Sequence, residues 1–298
     1  MNPVVHYTNC PVCNSTAIRH SLSAQDHTIS HESFQIWECA GCSLRFTQDV
    51  PGPAAIIPYY KSEQYISHSN TSKGFINQLY QWVRRKTLRQ KRKLLQRTIG
   101  LERGSLLDLG SGTGAFAHEM KQAGWKVMGL EPDADARRTA KKLYAIDLED
   151  TSQLYPLPPS SFDAITLWHV LEHVHDLHQY VAKLKELLKE NGKLFVAVPN
   201  YTSKDAAIYA AYWAAYDVPR HLYHFSPASI KLLMEKHGLR LTHYKPMWYD
   251  SFYISLLSSR YKNGSANLFA AFINGLRSNF KALADVKRCS SVIYIIEK

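Results

Sequence analysis

The chain has 298 residues, of which 45% are hydrophobic and 20% are charged. This composition excludes wholesale disorder, and the length is sufficient for one buried core with one or two small appendages. No run reaches the ~18 apolar residues of a transmembrane helix. The first residues are polar where a secretory leader would be apolar, so we expect a cytoplasmic protein.

Four of the five cysteines form two Cys-x-x-Cys pairs near the N-terminus. They are Cys10, Cys13, Cys39 and Cys42. Four thiolates at this spacing can enclose a zinc ion, and the alternating residues between the pairs predict hairpin strands. Two disulfides are the alternative, which a cytoplasmic setting disfavours. We predict a zinc-ribbon module over residues 1–50, with a structural zinc because the protein fills all four metal positions.

The net charge of +11 is concentrated in the next segment, residues 51–100. Between Lys73 and Arg97 there are nine Lys and Arg but no Asp or Glu. Apolar residues at three-to-four spacing predict an amphipathic helix from about Lys73 to Thr98. Its basic face is either a solvated surface or a contact for an anionic substrate, an anionic membrane or RNA.

Residues 101–298 alternate apolar runs of strand length with helical patterns, which predicts an α/β domain with a mostly parallel sheet. The predicted strands are 105–109, 126–130, a short strand near Tyr144, 162–168, 193–198 and 291–297. Two insertions, at about 201–218 and 249–288, interrupt the pattern. The apolar stripes of the second insertion favour a lid or a dimer contact, with a membrane-facing surface as the weaker alternative.

A glycine-rich turn, Asp108 to Gly114, follows the first of these strands. Glycines there allow a tight turn and let backbone N–H groups approach a ligand. Glu131 ends the second strand, about 20 residues on, where a carboxylate can accept from both hydroxyls of a ribose. The alternatives are a turn without a ligand and an NAD site, since Gly110-x-Gly112-x-x-Ala115 also matches the NAD pattern.

The turn resembles motif I of class I S-adenosylmethionine-dependent methyltransferases, and Ser161 to Val174 resembles their motif IV. The resemblance covers about residues 104–238 and implies a Rossmann-like fold with adenosylmethionine as cofactor. It implies these cofactor-binding residues: Asp108, Gly110, Ser111, Gly112, Gly114, Glu131, Trp168 and His169. For the adenine, Asp147 and Asp150 are both candidates. A ribbon joined to such a core resembles a bacterial group that includes sugar methyltransferases, which implies a small-molecule acceptor such as a sugar or surface-glycan precursor.

The segment His169-Val-Leu-Glu-His173 also matches the inverted zinc-peptidase pattern His-x-x-Glu-His. In such peptidases both histidines must lie on one face of a helix. Here the first histidine closes a predicted strand, so the two would not lie one turn apart. We therefore do not expect a peptidase.

Arg220, His221, Tyr223 and His224 follow the fifth strand, and ligands in parallel sheets bind beyond the carboxyl ends of the strands. We expect these side chains to face the acceptor, with His221 as candidate base and Arg220 as partner for a carboxylate or phosphate. Alternatively, they only connect the strand to the helix at 227–237. Two other functions remain open, an RNA-directed methyltransferase and a non-catalytic protein that holds a partner through the ribbon and the basic helix.

Overall fold

The computed structural model describes residues 4–60 and 75–298, with side chains described from residue 82 in the second range. Lys73, where the basic helix is predicted to begin, lies outside the described residues. None of the helices in the described ranges is both long enough and apolar enough to cross a bilayer.

The N-terminal part forms two small antiparallel sheets. Its strands are β1 (Val4–Val5), β2 (Ile18–Gln25), β3 (Ser33–Cys39), β4 (Arg45–Thr47) and β5 (Val50–Pro51). The hairpin predicted between the cysteine pairs is present as β2 and β3. On its outer side β4 pairs with β10 (Tyr223–His224), which lies far along the chain. The N-terminal module therefore shares a sheet with the segment that carries the predicted acceptor-side residues.

The central sheet has the strand order β11-β12-β9-β8-β6-β7. These strands are β6 (Ser105–Leu109), β7 (Lys126–Leu130), β8 (Phe162–Trp168), β9 (Leu188–Pro199), β11 (Arg240–Pro246) and β12 (Ser291–Glu297). The four strands from β9 to β7 are parallel, and β12 runs antiparallel to both β9 and β11. Because strands buried on both faces need continuous apolar runs, residues such as Leu106, Ile165 and Val196 are fully buried. The α/β architecture is thus confirmed.

Helices cover both faces of this sheet and form the insertions. They are α1 (Phe75–Ile99), α2 (Ala115–Gln122), α3 (Ala134–Tyr144), α4 (Leu177–Leu187), α5 (Lys204–Tyr209), α6 (Pro227–Lys236), α7 (Asp250–Asn263) and α8 (Leu268–Ala284). Local signals fix several ends: Asp133 accepts from the first amides of α3, and Ser226 with Ser229 forms a capping box for α6. The apolar side chains in the C-terminal half of α1 pack on the sheet, with Leu95 and Leu106 buried in one cluster.

The predicted strand near Tyr144 is wrong. Helix α3 continues to Tyr144, and Ala145 ends it in the left-handed region with a φ of 52°. The following Ile146 and Leu148 are buried in a small apolar cluster beside α3. Only an isolated bridge between Leu130 and Glu149 remains of a third strand.

Candidate active site

The glycine turn lies directly beyond the end of β6 and leads into α2. Its glycines have φ values of 62° at Gly110, 54° at Gly112 and 77° at Gly114, in the left-handed region that favours glycine. A Cβ at Gly110 would lie 2.4 Å from Val170, whereas a Cβ at Gly112 would meet nothing within 4 Å. Packing therefore requires the first glycine, and the space beside the second is open to a ligand.

Glu131 joins this turn to the end of β7. Its Oε2 accepts from the Gly112 N–H at 2.7 Å, and its Oε1 accepts from the Asp133 N–H at 3.0 Å. Burial raises the pKa of this carboxyl, against those two backbone hydrogen bonds. A carboxylate has about four acceptor positions. Two remain for a ligand that lies over the turn.

Asp108 is buried at the end of β6, and its Oδ1 accepts from the Thr166 hydroxyl at 2.6 Å. Burial raises the pKa of Asp108 to about 6, although Thr166, Ser111 and the nearby Lys91 ammonium oppose this. Because these groups offset only part of the cost of burying the charge, a positively charged ligand beside Asp108 would stabilise its carboxylate. Asp108 lies two residues before Gly110, the first glycine of the turn.

Trp168 and Lys91 form the wall of the site beside β6. The Trp168 ring packs edge-on against Phe116, and its buried Nε1–H has no hydrogen-bond partner among the described residues. The Lys91 ammonium lies 4.1 Å from the centre of the Trp168 ring, and burial lowers its pKa to about 8. Sequence reasoning placed Lys91 among the charges of the basic helix. Its contact with Trp168 of β8 distinguishes Lys91 from the exposed basic residues of the same helix.

Two other basic side chains of α1 contact the glycine turn and helix α2. Arg84 donates to the Thr113 hydroxyl of the glycine turn at 3.3 Å, and Arg92 pairs with Glu119 at 2.8 Å. Helix α1 therefore covers the turn. Arg85 and Arg89 remain exposed on its outer face.

The two adenine candidates differ in their surroundings. Asp147 is exposed and pairs with Lys141 at the surface. Asp150 follows the bridge to Leu130 and accepts from Arg137 at 3.1 Å, and the same guanidinium donates to the Glu131 carbonyl. Asp150 is thus the acidic residue connected to the ribose candidate.

Beyond β8, His169 connects two carboxylates. It has a φ of 60°, so it turns out of the strand and does not share a helix with His173, as expected from the sequence. Its Nε2 lies 3.1 Å from Asp250 at the start of α7, and its Nδ1 lies 3.4 Å from Glu172. Burial alone would lower the pKa of His169, but these two carboxylates raise it to about 9.

His221 lies next to His173 on the acceptor side. Their rings meet edge to face, with centres 4.6 Å apart. Burial and the neighbouring His221 lower the pKa of His173 to about 4, so His173 is neutral at physiological pH. His221 was expected from the sequence as a candidate base, whereas His173 was considered only within the peptidase-like pattern.

The other three acceptor-side candidates contact the N-terminal module instead. Arg220 is 1% exposed, and its guanidinium pairs with Asp26 at 3.0 Å and Asp217 at 2.7 Å. Tyr223 donates to the His175 carbonyl, and His224 lies 3.2 Å from the Thr47 hydroxyl. Because β10 pairs with β4, these side chains are buried at that junction.

The four N-terminal cysteines converge without forming disulfides. Their sulfur atoms all lie within 4.8 Å of one another, with 3.5 Å between Cys10 and Cys42 and 3.4 Å between Cys13 and Cys39. Tetrahedral zinc with Zn–S bonds of about 2.3 Å places its sulfurs about 3.8 Å apart. The Cys10 sulfur also accepts from backbone amides of its own turn. The arrangement has the dimensions of a four-thiolate metal site.

Comparison with known protein families and with curated proteins identifies relatives of this chain. Residues 81–244 match the family model described as a methyltransferase domain. The chain is 34% identical over 119 residues to the ubiquinone biosynthesis O-methyltransferase of Glaesserella parasuis, covering 36% of this chain but only 50% of that protein. It is 31% identical over 180 residues to the Sodalis glossinidius protein of the same name, covering 54% of this chain and 72% of that one.

Solved structures share the fold at low identity. The Burkholderia thailandensis 1,6-didemethyltoxoflavin-N1-methyltransferase with bound S-adenosylhomocysteine matches with a TM-score of 0.51 and 12% identity, over 92% of this chain and 99% of that one. Haemonchus contortus phosphoethanolamine N-methyltransferase 2 with S-adenosyl-L-methionine matches with a TM-score of 0.52 and 17% identity, over 85% of this chain and 62% of that one. The chain belongs to the methyltransferase-domain family, and its fold is that of class I S-adenosylmethionine-dependent methyltransferases.

Proposed function

We propose that adenosylmethionine binds across the ends of β6, β7 and β8 and that its methyl group goes to a small hydroxylated molecule. The observation that carries the cofactor placement is the link from Glu131 to the Gly112 amide, because it sets an acidic acceptor over an open glycine turn. In this proposal Glu131 receives the ribose hydroxyls and Asp150 lies toward the adenine.

The remaining cofactor contacts come from the predicted residues and one addition. Gly110, Ser111 and Gly114 shape the turn, and the buried Asp108 carboxylate receives the charged amino-acid part of the cofactor. The free Nε1–H of Trp168 and the side chain of His169 border the site beside the methyl group. Lys91 adds a cation that suits the cofactor carboxylate.

On the acceptor side we propose His169, Glu172, His173 and His221 as the side chains that meet the substrate. All four lie beyond the carboxyl ends of the parallel strands, where ligands bind in such sheets. The name of the ubiquinone biosynthesis relatives specifies O-methylation, which supports a hydroxyl acceptor. Sugars and glycan precursors, expected from the sequence, belong to this class.

We infer a small acceptor rather than RNA because part of the basic face of α1 is used within the protein: Arg84, Lys91 and Arg92 contact the methyltransferase core. The remaining basic side chains are exposed, and we assign them to a solvated outer face: Arg85, Lys86, Arg89, Lys93 and Arg97. An RNA-directed enzyme, or a protein that only binds a partner, would use this face instead.

We also propose that Cys10, Cys13, Cys39 and Cys42 bind one structural zinc ion. Four sulfurs within 4.8 Å leave no open position for substrate. The zinc would hold the N-terminal module, residues 1–50, against β10 and so keep the acceptor side in shape. Residues 51–100 then act as a linker and cover helix for the domain at 101–298.

Turnover tests the acceptor class. The purified chain is incubated with adenosylmethionine labelled in the methyl group and with two fractions of a bacterial extract, small molecules and RNA. We expect label in the small-molecule fraction, with equal release of adenosylhomocysteine. Label in the RNA fraction alone would contradict the proposal. Binding of adenosylhomocysteine without turnover in either fraction would identify a non-catalytic binding protein.

A further inference from the structure

Three side chains on the acceptor side converge on one point. Glu172, His173 and His221 each offer a ligand atom within 4.8 Å of the other two. Two distant segments bring them together, since the Leu222 N–H donates to the Glu172 carbonyl at 2.8 Å. Metal bonds to nitrogen and carboxylate oxygen are about 2.1 Å long. A small rotation of these side chains is therefore enough to enclose an ion.

The Glu172 carboxylate is buried with an ion-pair contact to His169 but without a hydrogen bond to any described residue. The residue is 0% exposed, and neither carboxylate oxygen has a hydrogen-bond partner within the described part of the chain. The nearest cationic group is His169, with its Nδ1 3.4 Å from Oε1. Buried ionised carboxylates are stable only when they are paired, hydrogen-bonded or bound to metal. Glu172 thus points to a ligand that would bind at its second oxygen.

Both imidazoles are already held in the state that binds metal. The His173 Nδ1 lies 3.0 Å from the Arg220 carbonyl, and the His221 Nδ1 lies 2.9 Å from the Ala215 carbonyl. A carbonyl can only accept, so a hydrogen bond to it places the proton on Nδ1 and leaves the lone pair on Nε2. At His173 the Tyr60 hydroxyl also lies 3.0 Å from Nδ1, where it can act as a second acceptor while it donates to the Arg220 carbonyl. Histidines that bind metal commonly donate their other N–H to a carbonyl in this way.

We propose that Glu172, His173 and His221 bind one divalent transition-metal ion that holds the acceptor oxygen. Two imidazoles with one carboxylate suit Zn²⁺, Fe²⁺, Co²⁺ or Mn²⁺. Three protein ligands leave positions open for substrate, as in catalytic metal sites. Asp217 does not complete the set, because both of its oxygens accept from Arg220.

The proposal deepens the proposed function and rests on it for the chemistry. The acceptor hydroxyl binds the ion, which lowers the pKa of that hydroxyl, and its proton passes to water. The oxygen then attacks the methyl carbon, forming the O–CH₃ bond as the S–CH₃ bond breaks. The bonding pair stays on sulfur, so the sulfonium becomes neutral adenosylhomocysteine. His221 is a ligand in this scheme, and the reaction needs no side chain as base.

Manganese binding tests the site in the full chain. Mn²⁺ prefers oxygen and nitrogen ligands to thiolates, so the cysteine cluster does not compete. The electron paramagnetic resonance signal of free Mn²⁺ falls as the ion binds. We expect saturation at one Mn²⁺ per chain and a loss of at least about 10-fold in affinity in Glu172→Gln, since even losing a second-shell partner has such an effect.

The matched control is His178→Gln, a histidine of the next helix that contacts His237 and lies outside the cluster; it should bind Mn²⁺ like the wild type. Titration of the same variants with adenosylhomocysteine shows, independently of Mn²⁺ binding, whether each variant keeps its fold and its cofactor site. The metal proposal is overturned if the wild type shows no saturable Mn²⁺ binding, or if Glu172→Gln and His221→Asn both bind Mn²⁺ with wild-type affinity. Mn²⁺ binding without adenosylhomocysteine binding would support the metal site and defeat the proposed function.

Discussion

Replacing Cys39 by serine is expected to remove one equivalent of zinc per chain and to unfold the N-terminal module. Structural zinc in small domains contributes about 10–16 kcal/mol of apparent binding free energy, far more than a module of this size can replace by burial. Metal analysis and thermal unfolding measure the two effects. Because β4 pairs with β10 and the Thr47 hydroxyl donates to the His221 carbonyl at 2.7 Å, methyl transfer should also fall.

The control for this variant is Cys289→Ser, which changes a buried thiol remote from the other four. It should keep its zinc. Affinity for adenosylhomocysteine should change by less than about 0.5 kcal/mol in Cys39→Ser, because distant sites behave independently. Full zinc content in Cys39→Ser would rule out the four-thiolate site.

Replacing Arg220 by methionine should lower the free energy of unfolding by about 3–5 kcal/mol, the cost of breaking a buried ion pair by removing one partner. The guanidinium is 1% exposed and also donates to the Tyr59 carbonyl and the Thr28 hydroxyl. Its loss leaves the fully buried Asp26 carboxylate without its cationic partner and also removes the partner of the partly exposed Asp217. Urea unfolding at neutral pH measures the difference.

The stability lost in Arg220→Met should depend on pH in a predictable direction. In the wild type, burial would raise the pKa of Asp26, but Arg220 and backbone amides hold it well below its usual range. Without Arg220 the folded-state pKa of Asp26 rises toward or above its unfolded value near 4. The difference in unfolding free energy between variant and wild type should then stay large down to about pH 4 and narrow as the pH falls further below 4, toward the depressed pKa of Asp26 in the wild type. Arg138→Met, an exposed ion pair with Asp135, is the control and should stay within about 0.5 kcal/mol. An equally small loss in Arg220→Met would contradict the buried pair.

The parts of the fold carried by local signals were predictable. The strand at 105–109, the glycine turn after it and the cysteine pairs each depend on residues that are close in sequence. The prediction of a strand near Tyr144 was wrong because the apolar residues there, Ile146 and Leu148, pack beside α3 without pairing along a neighbouring strand. A short apolar run does not distinguish these outcomes.

The acceptor side was less predictable because it depends on distant contacts. Arg220, His221, Tyr223 and His224 are neighbours in sequence, yet the return of β10 onto β4 buries three of them at a junction and leaves His221 beside His173. The His-x-x-Glu-His pattern did mark two members of that cluster. The third member, His221, comes from a different segment, which the pattern does not indicate.

The central claim is that adenosylmethionine lies over the glycine turn with its ribose on Glu131, and calorimetric titration with adenosylhomocysteine tests it most directly. The account predicts one site per chain and a loss of affinity of about 10- to 100-fold in Glu131→Ala, since a hydrogen bond to a charged group contributes about 1.5–3 kcal/mol. Glu149→Ala, an exposed acid beside the same strand, should bind like the wild type. Unchanged affinity in Glu131→Ala, or no binding by the wild type, would contradict the account.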